Sequence, residues 1–366
     1  MKDSIFWKRT SVAFLSCFPS VSISKRSRIS GRRRPCGVLL FCISVAIGAS
    51  AQNFTTLVDF KGPNGGHPSN LTQGFDGALY GTTTFGGVHP LTGTIFKMTT
   101  DGKLKTLYNF CSVRHAGQCD DGYGPLVGLT LGTNGSLYGS NTNSGANGNY
   151  GTLYSITDDG QLTTQFAFSG YPTNGWDPYG MVYAANGNFF GVTYYDGTRC
   201  PNQLGCGTFY EMTPHGSLTT LYSFCSRSKC VDGSNPYATP IQAISGNFYG
   251  TTVSGGSGCG TIYQMTPSGI LTTLHSFNGS DGIQPTTLIQ GRDGNFYGTT
   301  VLGGTNNFGT IFKITPKGVL TKLHDSCTQA GCLDGSGPAS LQQATDGNFY
   351  GVAQNQRGLD VVGSRD

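Results

Sequence analysis

The sequence predicts an all-β fold: a β-propeller of about six four-stranded blades, closed by the N-terminal strand and preceded by an export segment. Three observations predict it. The 366 residues include 57 glycines and a single glutamate, Glu211, with abundant Thr, Asn, Tyr and Phe, a composition that suits strands and tight turns rather than helices. Four short motifs recur in fixed order along the chain. The first copy of the last motif stands ahead of any copy of the other three, an offset that a closed ring needs and an open β-solenoid, the alternative architecture, does not.

Residues 1–51 form a leader. They carry nine Lys/Arg against one Asp, whereas the remainder carries 14 Lys/Arg against 18 Asp/Glu. The formal net charge of +4 therefore conceals a mildly acidic body without a Lys/Arg run, which excludes the electrostatic footprint of a nucleic-acid binder. Arg32, Arg33 and Arg34 precede an apolar run from Val38 to Ile47 and then Ala49-Ser50-Ala51, a small-x-small cleavage signature. The run is short for a membrane span, so membrane contact is expected only through an uncleaved leader. The expected product is exported (secreted, periplasmic or on the cell surface) and monomeric.

The repeat domain is expected over residues 52–352, with a degenerate end at 353–366. An aromatic-Gly pair occurs at Tyr80-Gly81, Tyr138-Gly139, Phe190-Gly191, Tyr249-Gly250, Tyr297-Gly298 and Tyr350-Gly351, in steps of 58, 52, 59, 48 and 53 residues. This is the period of a kelch-like blade. Gly-Thr-apolar-aromatic follows at Gly93, Gly151, Gly207, Gly260 and Gly309. A Thr/Leu-rich run comes next, as in Thr272 to Phe277, and its first copy is Thr55 to Phe60. Last comes Asp/Asn-Gly-x-x-Pro, starting at Asn64, Asp121, Asn174, Asp232, Asp281 and Asp334.

Each unit reads as four strands. In the fifth, Thr286 to Gln290 is the first strand, after the proline. Asp293-Gly294 makes a hairpin into Asn295 to Thr300, the second. Gly309 to Thr315 is the third, and Lys317-Gly318 turns into Leu320 to His324, the fourth. Thr55 to Phe60 would then complete the last unit, with residues 358–363 as its third strand.

The pattern Tyr-Gly-Thr-Thr, Gly-Gly, Gly-Thr-Ile-Phe-Lys-Ile-Thr-Pro-x-Gly-x-Leu-Thr-x-Leu, cleanest from Tyr297 to Leu323, resembles the GloVer tandem-repeat family, called choice-of-anchor. The resemblance covers about residues 53–352 and implies a bacterial cell-surface or secreted protein of no established biochemical activity, with variable C-terminal anchors. Val352 to Asp366 departs from the pattern, with neither the Gly-Thr strand nor a hydrophobic sorting tail, as a truncation or frameshift would leave it.

Nine of the twelve cysteines follow the leader. Eight form close pairs, Cys111/Cys119, Cys200/Cys206, Cys225/Cys230 and Cys327/Cys332, and Cys259 is left over. In an oxidising compartment these read as local disulfides. Zinc is the competing reading, disfavoured because the spacings are not paired CxxC motifs and no His cluster accompanies them.

Sites are expected on the face bearing the loops between second and third strands and the unit-to-unit connections, because these vary in length. Asn64, Asp121, Asn174, Asp232, Asp281 and Asp334 form one candidate set, a ring of oxygen ligands for a calcium ion at the channel mouth. The same residues are also ordinary turn formers that bond their own backbone. Trp176, Asp177, Tyr194, Tyr195 and Arg199 form a second set, aromatics beside polar groups that suit a sugar ring. Paired catalytic carboxylates are not evident, Glu211 sits at a solvent-facing repeat position, and the histidines are scattered. The expected function is a non-catalytic binding or surface-interaction module for carbohydrate or a surface protein, without a cofactor. A polysaccharide-acting lyase or hydrolase at the channel mouth is the alternative.

Overall fold

A computed structural model describes residues 5–8, 55–170, 174–197 and 206–354. The chain divides into two units, Ile5–Asp59 and the array that begins at Phe60. In the small unit, Ile5–Lys8 pairs antiparallel with Thr55–Asp59.

Alternating apolar and polar residues in the repeats produce five successive four-stranded antiparallel sheets and a final two-stranded one among the described residues. The third runs Trp176–Tyr183, Phe189–Tyr195, Thr208–Met212 and Leu218–Ser223. The fifth runs Ile283–Gln290, Phe296–Leu302, Thr310–Ile314 and Leu320–Asp325. The sixth consists of Ser336–Gln343 and Phe349–Gln354. In the first and fourth sheets the innermost strand is broken into two pieces on the same neighbour. Each sheet is one blade of the β-propeller type.

The motifs are explained by packing. In the five four-stranded sheets the Gly of the aromatic-Gly pair lies opposite the aromatic of the third strand, as in Gly250↔Tyr263 and Gly298↔Phe312. That ring covers the glycine: a Cβ on Gly250 would lie 2.3 Å from the Tyr263 hydroxyl, and one on Gly298 would lie 2.5 Å from Phe312 Cζ. A side chain there would displace a fully buried ring. The strand bulges at the same aromatic in all five sheets, which adds local twist.

Aromatics also join one sheet to the next. The phenylalanine just after the fourth strand of the first four sheets meets the third-strand aromatic of the following sheet: Phe110 with Tyr154, Phe168 with Tyr210, Phe224 with Tyr263 and Phe277 with Phe312, at centroid separations of 5.1–5.9 Å. Phe60 repeats the contact with Phe96 at 5.1 Å, so the first copy of the run supplies the same anchor to the first sheet. A second column pairs Tyr138 with Phe189, Tyr249 with Phe296 and Tyr297 with Phe349.

The Gly-Thr and Asp/Asn-Gly-x-x-Pro motifs lock together across sheets. A Cβ on Gly207 would lie 2.5 Å from Pro236 Cδ of the next unit; on Gly260 it would lie 2.7 Å from Pro285 Cδ, and on Gly309 2.8 Å from Pro338 Cδ. The residue before each proline is left-handed: His67, Gly124, Asp177, Asn235, Gln284 and Gly337 all have positive φ. In five cases its N–H donates to the carbonyl just ahead of the preceding Gly-Thr, as Asn235 does to Cys206 at 2.7 Å.

One expectation is corrected here, and a second is not shown. The first strand does not wait for the proline: in the third, fifth and sixth sheets it begins two residues earlier, and the chain stays paired on either side of the left-handed residue. Closure by Thr55 to Phe60 is not among the described pairings. The described partner of Thr55–Asp59 is Ile5–Lys8, and that of Phe349–Gln354 is Ser336–Gln343. In the other sheets a fourth strand bonds to the third, and the sixth sheet offers no third strand among the described residues. Residues 358–363 lie outside them.

Candidate active site

The six Asp/Asn residues turn into their own loops. Asp232 accepts bonds from the Tyr222 hydroxyl at 2.7 Å, from the Ser226 N–H and hydroxyl at 2.9 and 3.0 Å, and from the Arg227 N–H at 3.3 Å. Asp121 accepts from the Tyr108 hydroxyl at 2.8 Å and the Ser112 N–H at 3.0 Å. Asp281 meets His275 Nε2 at 2.8 Å, and Asp334 meets His324 Nε2 at 3.4 Å and the Thr328 N–H at 2.8 Å. Tyr108, Tyr222, His275 and His324 occupy one repeat position on the fourth strand. Where that position holds Val58 or Phe166, which have nothing to donate, the loop carries Asn64 or Asn174 instead of aspartate. Asn64 Oδ1 takes the Lys61 N–H at 2.7 Å, and Asn174 Oδ1 takes the Ser169 N–H at 3.4 Å. Among the described residues, no three of the four aspartates lie within metal-ligand distance of one another.

The second candidate set is brought together in large part. Trp176 pairs in register with Tyr195, and their rings stack at 4.2 Å with 19° between planes. Tyr194 packs against Tyr195 at 4.5 Å and against Tyr237 at 5.9 Å, and Tyr179 lies between Tyr194 and Tyr237 at 5.8 and 4.6 Å. Tyr150 of the preceding unit touches Trp176 edge-on at 6.5 Å. Arg199 lies outside the described residues. Tyr150, Tyr179 and Tyr237 were not candidates from sequence; they arrive from neighbouring repeats or from the buried side of the strand, and only folding places them.

Two aspartates sit in this aromatic cluster under unusual conditions. Asp177 is left-handed at φ 61° and fixed by its N–H bond to the Tyr150 carbonyl at 3.0 Å. Burial among the rings pushes its carboxyl up to about 7. The nearby Asp177 charge in turn raises Tyr179 and Tyr194, on top of their own burial. Asp196 is left-handed at φ 72° and buried. Its Oδ1 accepts from the Gly197 N–H at 2.9 Å, whereas Oδ2 is buried with no hydrogen-bond partner. Desolvation raises its pKa as well.

Asp196, like Ser144 of the second sheet (φ 60°), stands where the other units carry glycine. Its carbonyl accepts the N–H of Gly207, the bond that Gly86, Gly255 and Gly303 make to Gly93, Gly260 and Gly309. Glycine adopts this backbone freely; an aspartate there costs about 1 kcal/mol in conformation, and its lone buried oxygen costs about 1–3 kcal/mol more. Such a concentration of strain and desolvated acid marks functional positions. Aligning the repeats would have exposed Asp196 in the sequence.

Elsewhere Glu211 is bonded by the Asn186 and Asn188 amides at 3.2 and 2.7 Å, in the sheet position of Lys97, Ser155, Gln264 and Lys313. A cavity of about 220 Å³ lies at the opposite face, lined by Phe75, Asp76, Tyr80, Asn134 and Asp158. Its Asp76 is paired with Lys97 at 2.7 Å, which holds that carboxyl below its ordinary range. The expected pairs Cys111–Cys119, Cys225–Cys230 and Cys327–Cys332 are disulfides and Cys259 is free. Cys206 is also disulfide-bonded, and Cys200 lies outside the described residues. Bonds of this kind belong to an oxidising environment.

The fold and site define a bacterial-type β-propeller repeat protein with a candidate acid site on one blade edge. The chain belongs to the Gloeobacter/Verrucomicrobia repeat family, which matches residues 40–231 and 201–359. No curated protein matches the sequence. Among similar solved structures are a gluconolactonase from Xanthomonas campestris (12% identity, 77% of this chain and 80% of that one, TM-score 0.45) and a glucose dehydrogenase-type oxidoreductase from Thermus thermophilus (16%, 80% and 92%, 0.45). A luciferin-regenerating enzyme is a third (14%, 74% and 82%, 0.42). These neighbours are enzymes, whereas the sequence led to the expectation of a non-catalytic module; the likeness to them is one of fold.

Proposed function

We propose that the protein is a carbohydrate-acting hydrolase whose site is the edge of the third blade. The observation that carries this reading is the Asp177 carboxyl, held at about 7 by burial against aromatic rings. A carboxylic acid of that pKa is half protonated at neutral pH and can deliver a proton to a leaving oxygen, then take one back from water. The stacked Trp176 and Tyr195 offer an apolar platform for a sugar ring, with the Tyr194 and Tyr237 rings beside it. Asp196, with one oxygen free of any partner, supplies a second acceptor for a water proton. The leader and the disulfides support an exported protein that meets its polysaccharide outside the cytoplasm.

The test is hydrolysis of a panel of polysaccharides and aryl glycosides by residues 52–366 and by its Asp177→Asn variant. Turnover by the parent, with a loss of at least ~10²-fold in kcat in the variant, supports the reading. Inactivity of the parent on every substrate, or equal turnover by both, overturns it.

A further inference from the structure

We propose that the crevice between the hairpins of the first and second sheets binds one sugar ring, neutral or amino-substituted. It is the cavity of about 220 Å³ lined by Phe75, Asp76, Asn134 and Asp158, small for a drug-sized ligand and suited to a single ring. It lies on the face opposite the third-blade aromatics and needs no catalysis there.

The repeat explains why this crevice is open. In later units a side chain bridges consecutive hairpins. The N–H groups of Ala185, Ile244 and Arg292, at the repeat position of Phe75, donate to Gln242, Gln290 and Gln343 of the next unit at 2.9, 3.2 and 2.9 Å. Between the second and third units the hydroxyls of Thr133 and Tyr183 meet at 2.9 Å. Each bridging residue ends the first strand of its sheet. In the second unit that place falls to Leu131, which has no polar group to offer. No bridge forms, and the Phe75 N–H has no partner among the described residues.

The groups around the opening suit a sugar. Phe75 is 74% exposed, although Thr133, Ala185, Ile244 and Arg292 hold its position in the next four units, so the repeat does not require a ring there. The ring leans over the second hairpin, its Cδ2 3.9 Å from where a Cβ on Gly135 would stand, and offers an apolar face to a pyranose. The Asn134 amide gives one N–H to the Tyr138 hydroxyl at 3.0 Å and keeps the other. Asp158 stands where the other units carry Thr100, Pro214, Pro267 and Pro316. It is exposed, with neither hydrogen bond nor ion pair among the described residues, whereas the neighbouring Asp159 accepts from the Thr157 hydroxyl.

Charge narrows the ligand. Asp76 is neutralised by Lys97, whose ammonium also lies over the Tyr80 ring at 5.3 Å. Asp158 is therefore the uncompensated charge of the cavity, and it is negative. A carboxylate accepts from sugar hydroxyls and attracts a ring ammonium, which also gains from the Phe75 face, but it repels the carboxylate of a uronic acid. The Phe75 N–H and the Asn134 amide supply donors for the ring and hydroxyl oxygens.

The experiment titrates the full chain with glucose, glucosamine and glucuronic acid, followed by NMR. Expected are roughly millimolar affinities for glucose and glucosamine, glucosamine the tighter, and binding of glucuronic acid at least ~10-fold weaker. Phe75→Ala, on an exposed turn, should weaken glucosamine at least ~10-fold at an unchanged melting temperature. Leu131→Gln restores the bridge of the later units and should close the crevice to all three sugars. Asp158→Asn should erase the preference for glucosamine over glucuronic acid, and Ile244→Ala, on another hairpin, should change nothing. Tighter binding of the glucosamine disaccharide marks a residue of a chain as the occupant and equal binding a free monosaccharide; either supports the site. Absence of binding in the parent, undiminished affinity in Phe75→Ala or Leu131→Gln, loss in Ile244→Ala, or glucuronic acid bound as tightly as glucosamine overturns the proposal.

Discussion

Tyr222 donates its hydroxyl proton to Asp232 across 2.7 Å, joining the end of one blade to the loop that opens the next. The same bond is made by Tyr108 to Asp121, and histidine takes the donor's place at Asp281 and Asp334. Donor and acid come and go together, since units with Val58 or Phe166 carry asparagine. Tyr222→Phe should therefore destabilise the protein by ~1–3 kcal/mol, because it leaves a buried carboxylate short of a partner. Adding Asp232→Asn should restore part of that loss and so reproduce the Phe166/Asn174 pairing. A double-mutant cycle in urea should return a coupling of about 1 kcal/mol.

Gly207→Ala tests the lock between blades. The new Cβ would lie 2.3 Å from the Thr193 carbonyl oxygen and 2.5 Å from Pro236, at φ 86°. A loss of ~3 kcal/mol or more is expected. Gly246→Ala has a similar φ of 82° but open space around it, so it should cost only ~1 kcal/mol. Thermal unfolding of the two variants compares them directly.

Asp196→Gly separates stability from function. The change restores the residue of Gly86, Gly255 and Gly303, removes left-handed strain and deletes an unpartnered buried oxygen. A gain of ~1 kcal/mol or more is expected in chemical unfolding, together with a loss of hydrolytic activity. A destabilised variant would show that the aspartate is structural.

Asp177 should leave a signature in the pH dependence of stability. Its folded pKa of about 7 lies above the ordinary 3.8, so the folded state holds this proton more tightly than the unfolded state does. The resulting stability is fully present below pH ~4 and is lost as the pH rises through ~7. Asp177→Asn removes this dependence. The stability difference between variant and parent should thus shift in favour of the variant from pH 4 to pH 8, by at most ~4 kcal/mol, as read by urea unfolding at each pH.

Much of this was legible in the residues. Tyr-Gly and Gly-Thr-apolar-aromatic marked second and third strands because a glycine and a covering ring must face each other, and that pairing is local to one hairpin. The disulfides were legible because each closes a short loop. The proline's partner was not, since Pro236 rests on Gly207, far behind it in sequence. Nor was the aromatic cluster: Tyr150 and Tyr237 come from the units before and after Trp176. Asp177 was a candidate only as a polar group beside the aromatics, because burial, not residue type, gives it its acid character, and Asp196 was not a candidate at all.

The Gly-Pro lock has a consequence for how such chains grow. It ties the tail of every blade to the head of its successor through the same few atoms, so the natural module runs from one Gly-Thr to the next and straddles two sheets. Copying or excising the segment between Gly260 and Gly309 would splice like onto like at both joints. The family can lengthen or shorten by whole turns of this ratchet without inventing a new contact.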